Sequence, residues 1–401
     1  MNKKNILIYA IVFFVIFTIE FGLNSYFSFT LEKEQYLFYQ NIVNVLPLFT
    51  TLLGFGTPFA VVYMTSLSKS NNKLYLYESN LFTLYLSLIL FGFTLILLNF
   101  QYIELYIIVS LVLGFFNAIK QNSVNYYLAK KELNISSFIR LNQKVIYVLV
   151  ILFGLIFLSI KSNQNLSILL ILGEVIGLLI LTIKYKIFII KKFKKIKSII
   201  KISRYAFMAN IFSMISLATP ILLLNYFDYP TNEIISFSIA YTLLKYSGIL
   251  LGPFMQLITP YFTPIKNDIV KVKRLYIKFS LVIFVIGLTL SVLMYFLSPF
   301  IISMFFNQEY SQSSELFTIL IFAIPFLFLN SFSMSLISSV INVKLTSKIV
   351  FITMIISIFT EYYLLSIYGL NSLVYFIVFN YFLLFIISFL ILIKNNRGLL
   401  L

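Results

Sequence analysis

The chain has 401 residues, 61% of them hydrophobic and only 11% charged, with 30 Lys and Arg against 13 Asp and Glu for a net charge of +17. A mean hydropathy of +0.99 leaves too little polar surface for a water-soluble fold of this length. Because Cys, His and Trp are all absent, there is no thiolate nucleophile, no Ser-His-Asp triad and no ordinary zinc, haem or iron–sulfur site. Gly54 and Gly56 lack the third glycine and the strand context of a nucleotide loop. No enzymatic activity, resident cofactor or structural metal is expected.

Apolar runs long enough to cross a ~30 Å hydrocarbon core, about 20 residues each, predict the elements in chain order. They cover 5–29, 36–65, 77–98, 103–129, 139–160, 165–187, 203–225, 234–260, 276–297, 315–339, 348–367 and 370–393. The first has no small-residue cleavage site and is too long for a signal h-region, so it is expected to remain in the mature protein. The fold class is therefore all-α integral membrane, with about twelve transmembrane helices.

The connections alternate between basic and non-basic. With the N-terminus in the cytoplasm, inner connections carry Lys3, Lys4, Lys69, Lys73, Lys130, Lys131, Arg140, Lys144, Lys266, Lys271, Lys344, Lys394 and Arg397, among others. Outer ones carry Glu32, Glu34, Asp228, Glu233, Glu309 and Glu315, and only Lys33 and Lys161 among the basic residues. The positive-inside bias then predicts a multi-pass membrane protein with both termini cytoplasmic. The +17 charge is a topology signal, and no nucleic-acid partner is expected because the aromatics lie within the spans.

The longest inner connection, Lys184 to Arg204, alternates basic and apolar residues, as expected of an amphipathic segment held by anionic lipid headgroups. It divides the spans six and six. We read 1–187 and 203–401 as two six-helix bundles around a central cavity, joined by 188–202 as a surface linker.

Polar residues inside spans should face protein or a watery cavity, because an unpaired polar group in hydrocarbon costs several kcal/mol. Span one offers Glu20 and Asn24. Span two gathers Gln40, Asn41, Asn44, Pro47, Thr51, Gly54 and Pro58 on about 140° of its surface at 100° per residue. Span four groups Asn117, Lys120, Gln121 and Asn125, and span seven aligns Asn210, Ser213, Ser216 and Pro220. Span eight places Ser238, Tyr241, Thr242, Lys245, Gly248, Gly252 and Gln256 within about 120° by the same count. Lys120, Lys245, Asn44, Tyr241, Gln256, Asn210 and Gln121 are the candidates for a substrate cavity; helix-to-helix hydrogen bonding is the competing role for the uncharged ones. Glu20 and Glu174 are candidates for H⁺ or Na⁺ coupling, or for structural pairing with Lys120 or Lys245. Glu361 is read as interfacial. Prolines 47, 58, 220, 253 and 260 should bend the lining helices.

Three stretches carry a family resemblance. They are Leu53-Gly54-Phe55-Gly56-Thr57-Pro58-Phe59-Ala60-Val61-Val62-Tyr63, then Ile239-Ala240-Tyr241-Thr242-Leu243-Leu244-Lys245 leading to Pro260-Tyr261-Phe262, and Ser298-Pro299-Phe300-Ile301-Ile302-Ser303-Met304-Phe305-Phe306 with Glu309-Tyr310. In order, spacing and topology the chain resembles the polysaccharide-transporter branch of the multidrug/oligosaccharidyl-lipid/polysaccharide exporter superfamily, the Wzx-type flippases. The family's usual Arg after the span-two glycines has no counterpart here, Tyr63 and Met64 standing in that region. The resemblance implies movement of an undecaprenyl-pyrophosphate-linked oligosaccharide repeat unit (O-antigen, capsule or a related polysaccharide) from the inner to the outer leaflet of a bacterial plasma (inner) membrane. It also implies a polysaccharide polymerase and a chain-length regulator as partners. Lys245 and Lys120 would then contact the pyrophosphate or acidic sugars. An ion-coupled multidrug antiporter of the same superfamily, a polysaccharide polymerase and a lipid-linked-sugar glycosyltransferase are the alternatives, in that order.

Overall fold

A computed structural model describes residues 3–67, 73–98, 104–157, 162–187, 194–262 and 268–395, and all regular structure among them is helical. Eleven of these helices are long and apolar enough to span a membrane, and a further helix of 32 residues, Thr231–Phe262, takes the place of span eight. About twelve spans are therefore present in the expected order. Large apolar side chains stand exposed along them, for instance Ile89, Ile183, Phe296 and Phe359, as required of surfaces whose solvent is lipid. Residue contacts divide the chain into two units, Met1–Ala218 and Thr219–Leu401, a division that falls within the seventh span.

The first unit opens with α1 (Lys3–Thr30), followed by span two in two pieces, α2 (Lys33–Gly54) and α3 (Thr57–Leu67). Then come α4 (Leu74–Leu98), α5 (Leu105–Ala129), α6 (Leu133–Phe157), α7 (Asn163–Tyr185) and the first part of α8 (Ile196–Tyr226). Packing runs α2 along α5, α6 along α7, and α1 along α6. The α2–α5 approach is close because Gly114 faces the backbone of Phe49 and Thr50, where an added Cβ would lie 2.9–3.0 Å from their atoms.

Two expectations about this unit change. Span five starts at Leu133 and not near 139, so Arg140 and Lys144 are two to three turns inside α6 and not in a connection. The apolar-run criterion misses these turns because they are polar on one face only. The expected surface linker is likewise fastened at both of its described ends. Lys73 Nζ donates to Tyr185 O at 2.9 Å, and Asn80 Nδ2 to Ile187 O at 2.9 Å. The amides of Lys194 and Lys195 donate to the two oxygens of buried Glu78 at 2.9 and 2.7 Å, just before α8 begins. A carboxylate at this position satisfies amides that a helix start leaves open and complements its dipole. Residues 188–193 lie outside the described residues.

The second unit takes in the end of α8, α9 (Thr231–Phe262), α10 (Ile269–Phe305), α11 (Gln312–Leu320), α12 (Ile324–Leu336), α13 (Val343–Tyr368) and α14 (Leu370–Asn395). Span ten is interrupted: a 3-10 turn at Ile321–Ala323 leads into Pro325 at the start of α12, and a π-helical stretch, Ile337–Asn342, follows. The Ser291 hydroxyl of α10 donates to the Ile321 carbonyl at 3.0 Å, satisfying a group that the interruption loosens. Asp268 caps α10 by accepting from Lys271 N at 3.1 Å.

Candidate functional site

In the first unit the intramembrane charges converge. Glu20 on α1 accepts from Lys144 Nζ on α6 at 2.7 Å, an ion pair that leaves both side chains about a quarter exposed or less. Glu174 on α7 is buried and accepts from Gln143 Nε2, one residue from Lys144. Lys120 on α5 is half-buried and donates to Asn117 Oδ1 at 3.1 Å. Arg140 stacks over Phe13 and Tyr9, with ring centroids 4.6 and 5.7 Å from its guanidinium carbon, and its buried Nε has no hydrogen-bond acceptor among the described residues. A guanidinium suits such an aromatic seat, being planar and weakly hydrated. The two carboxylates singled out from sequence thus meet one α6 stretch, Arg140 to Lys144, and not Lys120 or Lys245 as hydrogen-bonding partners. The neighbouring Asn24 accepts from Tyr36 OH at 3.0 Å and from Gln40 Nε2 at 2.6 Å, which joins α1 to α2. Asn44 is buried and donates to the Gln40 carbonyl at 2.8 Å. Gln121 is exposed.

A second polar group surrounds the interruption of span two. Phe55 and Gly56 both lie in the left-handed region, at φ 43° and 69°. A Cβ on Gly56 would sit 2.4 Å from Ser203 O and 2.9 Å from Phe207 N of α8, so this position admits only glycine. Phe55 stacks on Phe207 with centroids 4.5 Å apart. Pro58 sits in the first turn of α3, where its missing N–H leaves nothing unsatisfied, and starts a helix instead of bending one. Thr57 Oγ1 lies 2.6 Å from Gly54 O and 2.9 Å from Asn122 Oδ1; Asn122 Nδ2 donates to Asn80 Oδ1 at 3.1 Å. Asn80 in turn holds Ile187 O. Thr57, Asn80 and Asn122 are completely buried. Asn122 is not among the span-four candidates, which follow the Lys120 face; its burial depends on helices distant in sequence.

In the second unit, Tyr241 is buried on α9 and stacks on Phe237 at 5.4 Å, and Lys245 Nζ lies over the Tyr241 ring, 4.1 Å from its centroid. Glu361 on α13 is not interfacial as expected: it is 2% exposed. Its Oε1 accepts from Ser357 Oγ at 2.7 Å, and that hydroxyl accepts from Asn380 Nδ2 of α14 at 3.1 Å. Tyr241 and Tyr381 lie near enough to feel its charge. Asn210 on α8 is exposed, and the side chain of Gln256, near the end of α9, lies outside the described residues, as do those of Pro253 and Pro260. An open groove of about 590 Å³ lined by Tyr295, Phe322, Phe326, Tyr375 and Phe382 is apolar, the character of a lipid-facing surface.

These features define a multi-pass helical membrane protein with charge and amide clusters built into its spans. No family model and no curated protein matches the chain. Among solved structures, it is similar over 99% of its length to 96% of the outward-facing form of a multidrug resistance MATE family transporter of the MOP superfamily, with a TM-score of 0.75 at 13% identity. The inward-facing form of such a transporter matches with a TM-score of 0.74 at 12% identity, over 97% of this chain and 98% of that one. A mutant of the Vibrio cholerae MATE transporter VcmN matches with a TM-score of 0.64 at 13% identity, over 98% and 97%. The chain has the fold of the MATE transporters.

Proposed function

We propose that this protein is an alternating-access flippase that carries an undecaprenyl-pyrophosphate-linked oligosaccharide from the cytoplasmic to the outer leaflet of a bacterial plasma membrane. The observation that carries the reading is the charge balance inside the first unit. Glu20 is paired with Lys144, while Glu174 takes a hydrogen bond from the neutral Gln143 and feels the charge of Lys120. With Arg140 seated on aromatic rings, the three cations exceed the two carboxylates and leave a net positive charge for an anionic cargo. A pyrophosphate satisfies Arg and Lys donors with charge-assisted hydrogen bonds at membrane depth, where a cationic drug would be repelled. The Wzx-like stretches support the same cargo, and Lys245 with Tyr241 offers a cation and a ring for sugar in the second unit. Both termini would be cytoplasmic, and anionic lipids, the polymerase and the chain-length regulator would be the partners.

The experiment is deletion of the gene followed by assignment of the accumulated lipid-linked oligosaccharide to a leaflet. Repeat units trapped on the cytoplasmic leaflet, with surface polysaccharide lost, support the reading; Lys120→Ala with Lys245→Ala should reproduce the defect. Surface polysaccharide at wild-type level in that double variant overturns the role of the lysines. The second reading, an ion-coupled multidrug antiporter, is favoured by the solved neighbours described as multidrug resistance transporters. It predicts normal polysaccharide and new sensitivity to cationic drugs.

A further inference from the structure

The second unit contains a carboxyl group that no role above uses. Glu361 is completely enclosed, about two turns from the end of α13 and so about 10 Å along the helix from its terminus. Its Oε1 is held by the Ser357 hydroxyl, and Ser357 by Asn380, but Oε2 has no hydrogen-bond partner among the described residues. Such a group cannot remain in both states at equal cost: as a carboxylate with one satisfied oxygen it carries a large desolvation penalty, whereas a proton on Oε2 removes the charge. The titratable groups beside it are Tyr381 on α14 and Tyr241 on α9, with Lys245 one turn further along α9 over the Tyr241 ring.

We infer that Glu361 is a proton-exchange site of the second unit, gaining and losing H⁺ on Oε2 when the helices around it part to admit water, while Ser357 and Asn380 position the carboxyl through Oε1. The step forms and breaks only an O–H bond. A proton fits better than a metal cation, because hard cations collect several oxygen ligands. Among the described residues no cluster of three acidic side chains exists to supply them, and Oε2 faces none. As the coupling site of a transporter the inference rests on the proposed function, but the exchange itself does not depend on any cargo.

The test uses the full-length protein in lipid vesicles without substrate, read by infrared difference spectroscopy across a pH step. The expected result is a C=O stretch of a protonated carboxylic acid that titrates in the wild type, is absent in Glu361→Gln, and returns at a shifted frequency in Glu361→Asp. It should be unchanged when Na⁺ replaces K⁺. Ser357→Ala should keep the band but move its frequency, since the donor to Oε1 is gone, and Asn380→Ala should move it less. A band of full intensity in Glu361→Gln overturns the assignment, as does a band abolished by Na⁺ at constant pH, which would mark a cation site. If Glu361→Gln fails to fold, Glu361→Asp carries the test, and a spectrum identical to wild type overturns it. Because no cargo is present, the flippase reading can fail while this result stands, and the reverse.

Discussion

The two units treat buried charge differently. In the first, three acidic side chains of the helices have donors: Lys144 on Glu20, Gln143 on Glu174, and two backbone amides on Glu78. In the second, Glu361 keeps one oxygen without a donor among the described residues and Lys245 lies over an aromatic ring. A buried carboxylate that has its donors is costly to strip of them, so such contacts hold helices together; a carboxyl left half-satisfied is the one that can change state. On the proposals above, cargo electrostatics belong to the first unit and titration to the second.

The comparison is broken most severely at the span-two interruption. Gly56→Val is expected to prevent stable folding, losing about 3 kcal/mol or more from left-handed strain plus the collision with the α8 backbone, and the yield of monodisperse protein in detergent checks it. Next, Asn122→Leu removes the link between Thr57 and Asn80, at about 2–3 kcal/mol for two buried hydrogen bonds and the groups left unpaired. Thermal unfolding in detergent should show it, and a shift below about 0.5 kcal/mol would mean that the chain of amides does not hold the interruption to α4.

A double-mutant cycle sharpens the contrast in charge. Lys144→Ala should destabilise by about 2 kcal/mol, less than a fully buried pair because both partners keep some solvent contact, and Glu20→Gln in the same chain should recover much of it. Glu361→Gln, by contrast, should leave stability unchanged or slightly raised, since it removes a charge that lacks a full set of donors. The smallest stability effects, within about 0.5 kcal/mol, belong to Gln121→Ala and Asn210→Ala, which are exposed; a transport defect there without loss of stability would place them on the cargo path.

The existence, order and number of spans were legible in the chain, because hydrocarbon thickness demands long apolar runs and nothing else can satisfy the backbone there. Lys120, Lys245, Glu20 and Glu174 stood out for the same reason: charge is rare and costly at that depth. What the composition of each span could not show was partner choice. Glu20 meets Lys144 because α6 begins six residues before its apolar run, and Asn122 faces α4 because of how α2 and α5 approach across Gly114. The segment 184–204 reads as a lipid-bound amphipath by its alternation, yet its described ends are held by Lys73, Glu78 and Asn80, more than a hundred residues earlier. Glu361 reads as interfacial by its distance from the span end and is enclosed where α14 packs along α13, with Asn380 reaching Ser357 beside it. Sequence by itself determined which residues must lie in the membrane, since that is a property of each segment against lipid; only tertiary structure decided which of them are neutralised, which is a property of pairs.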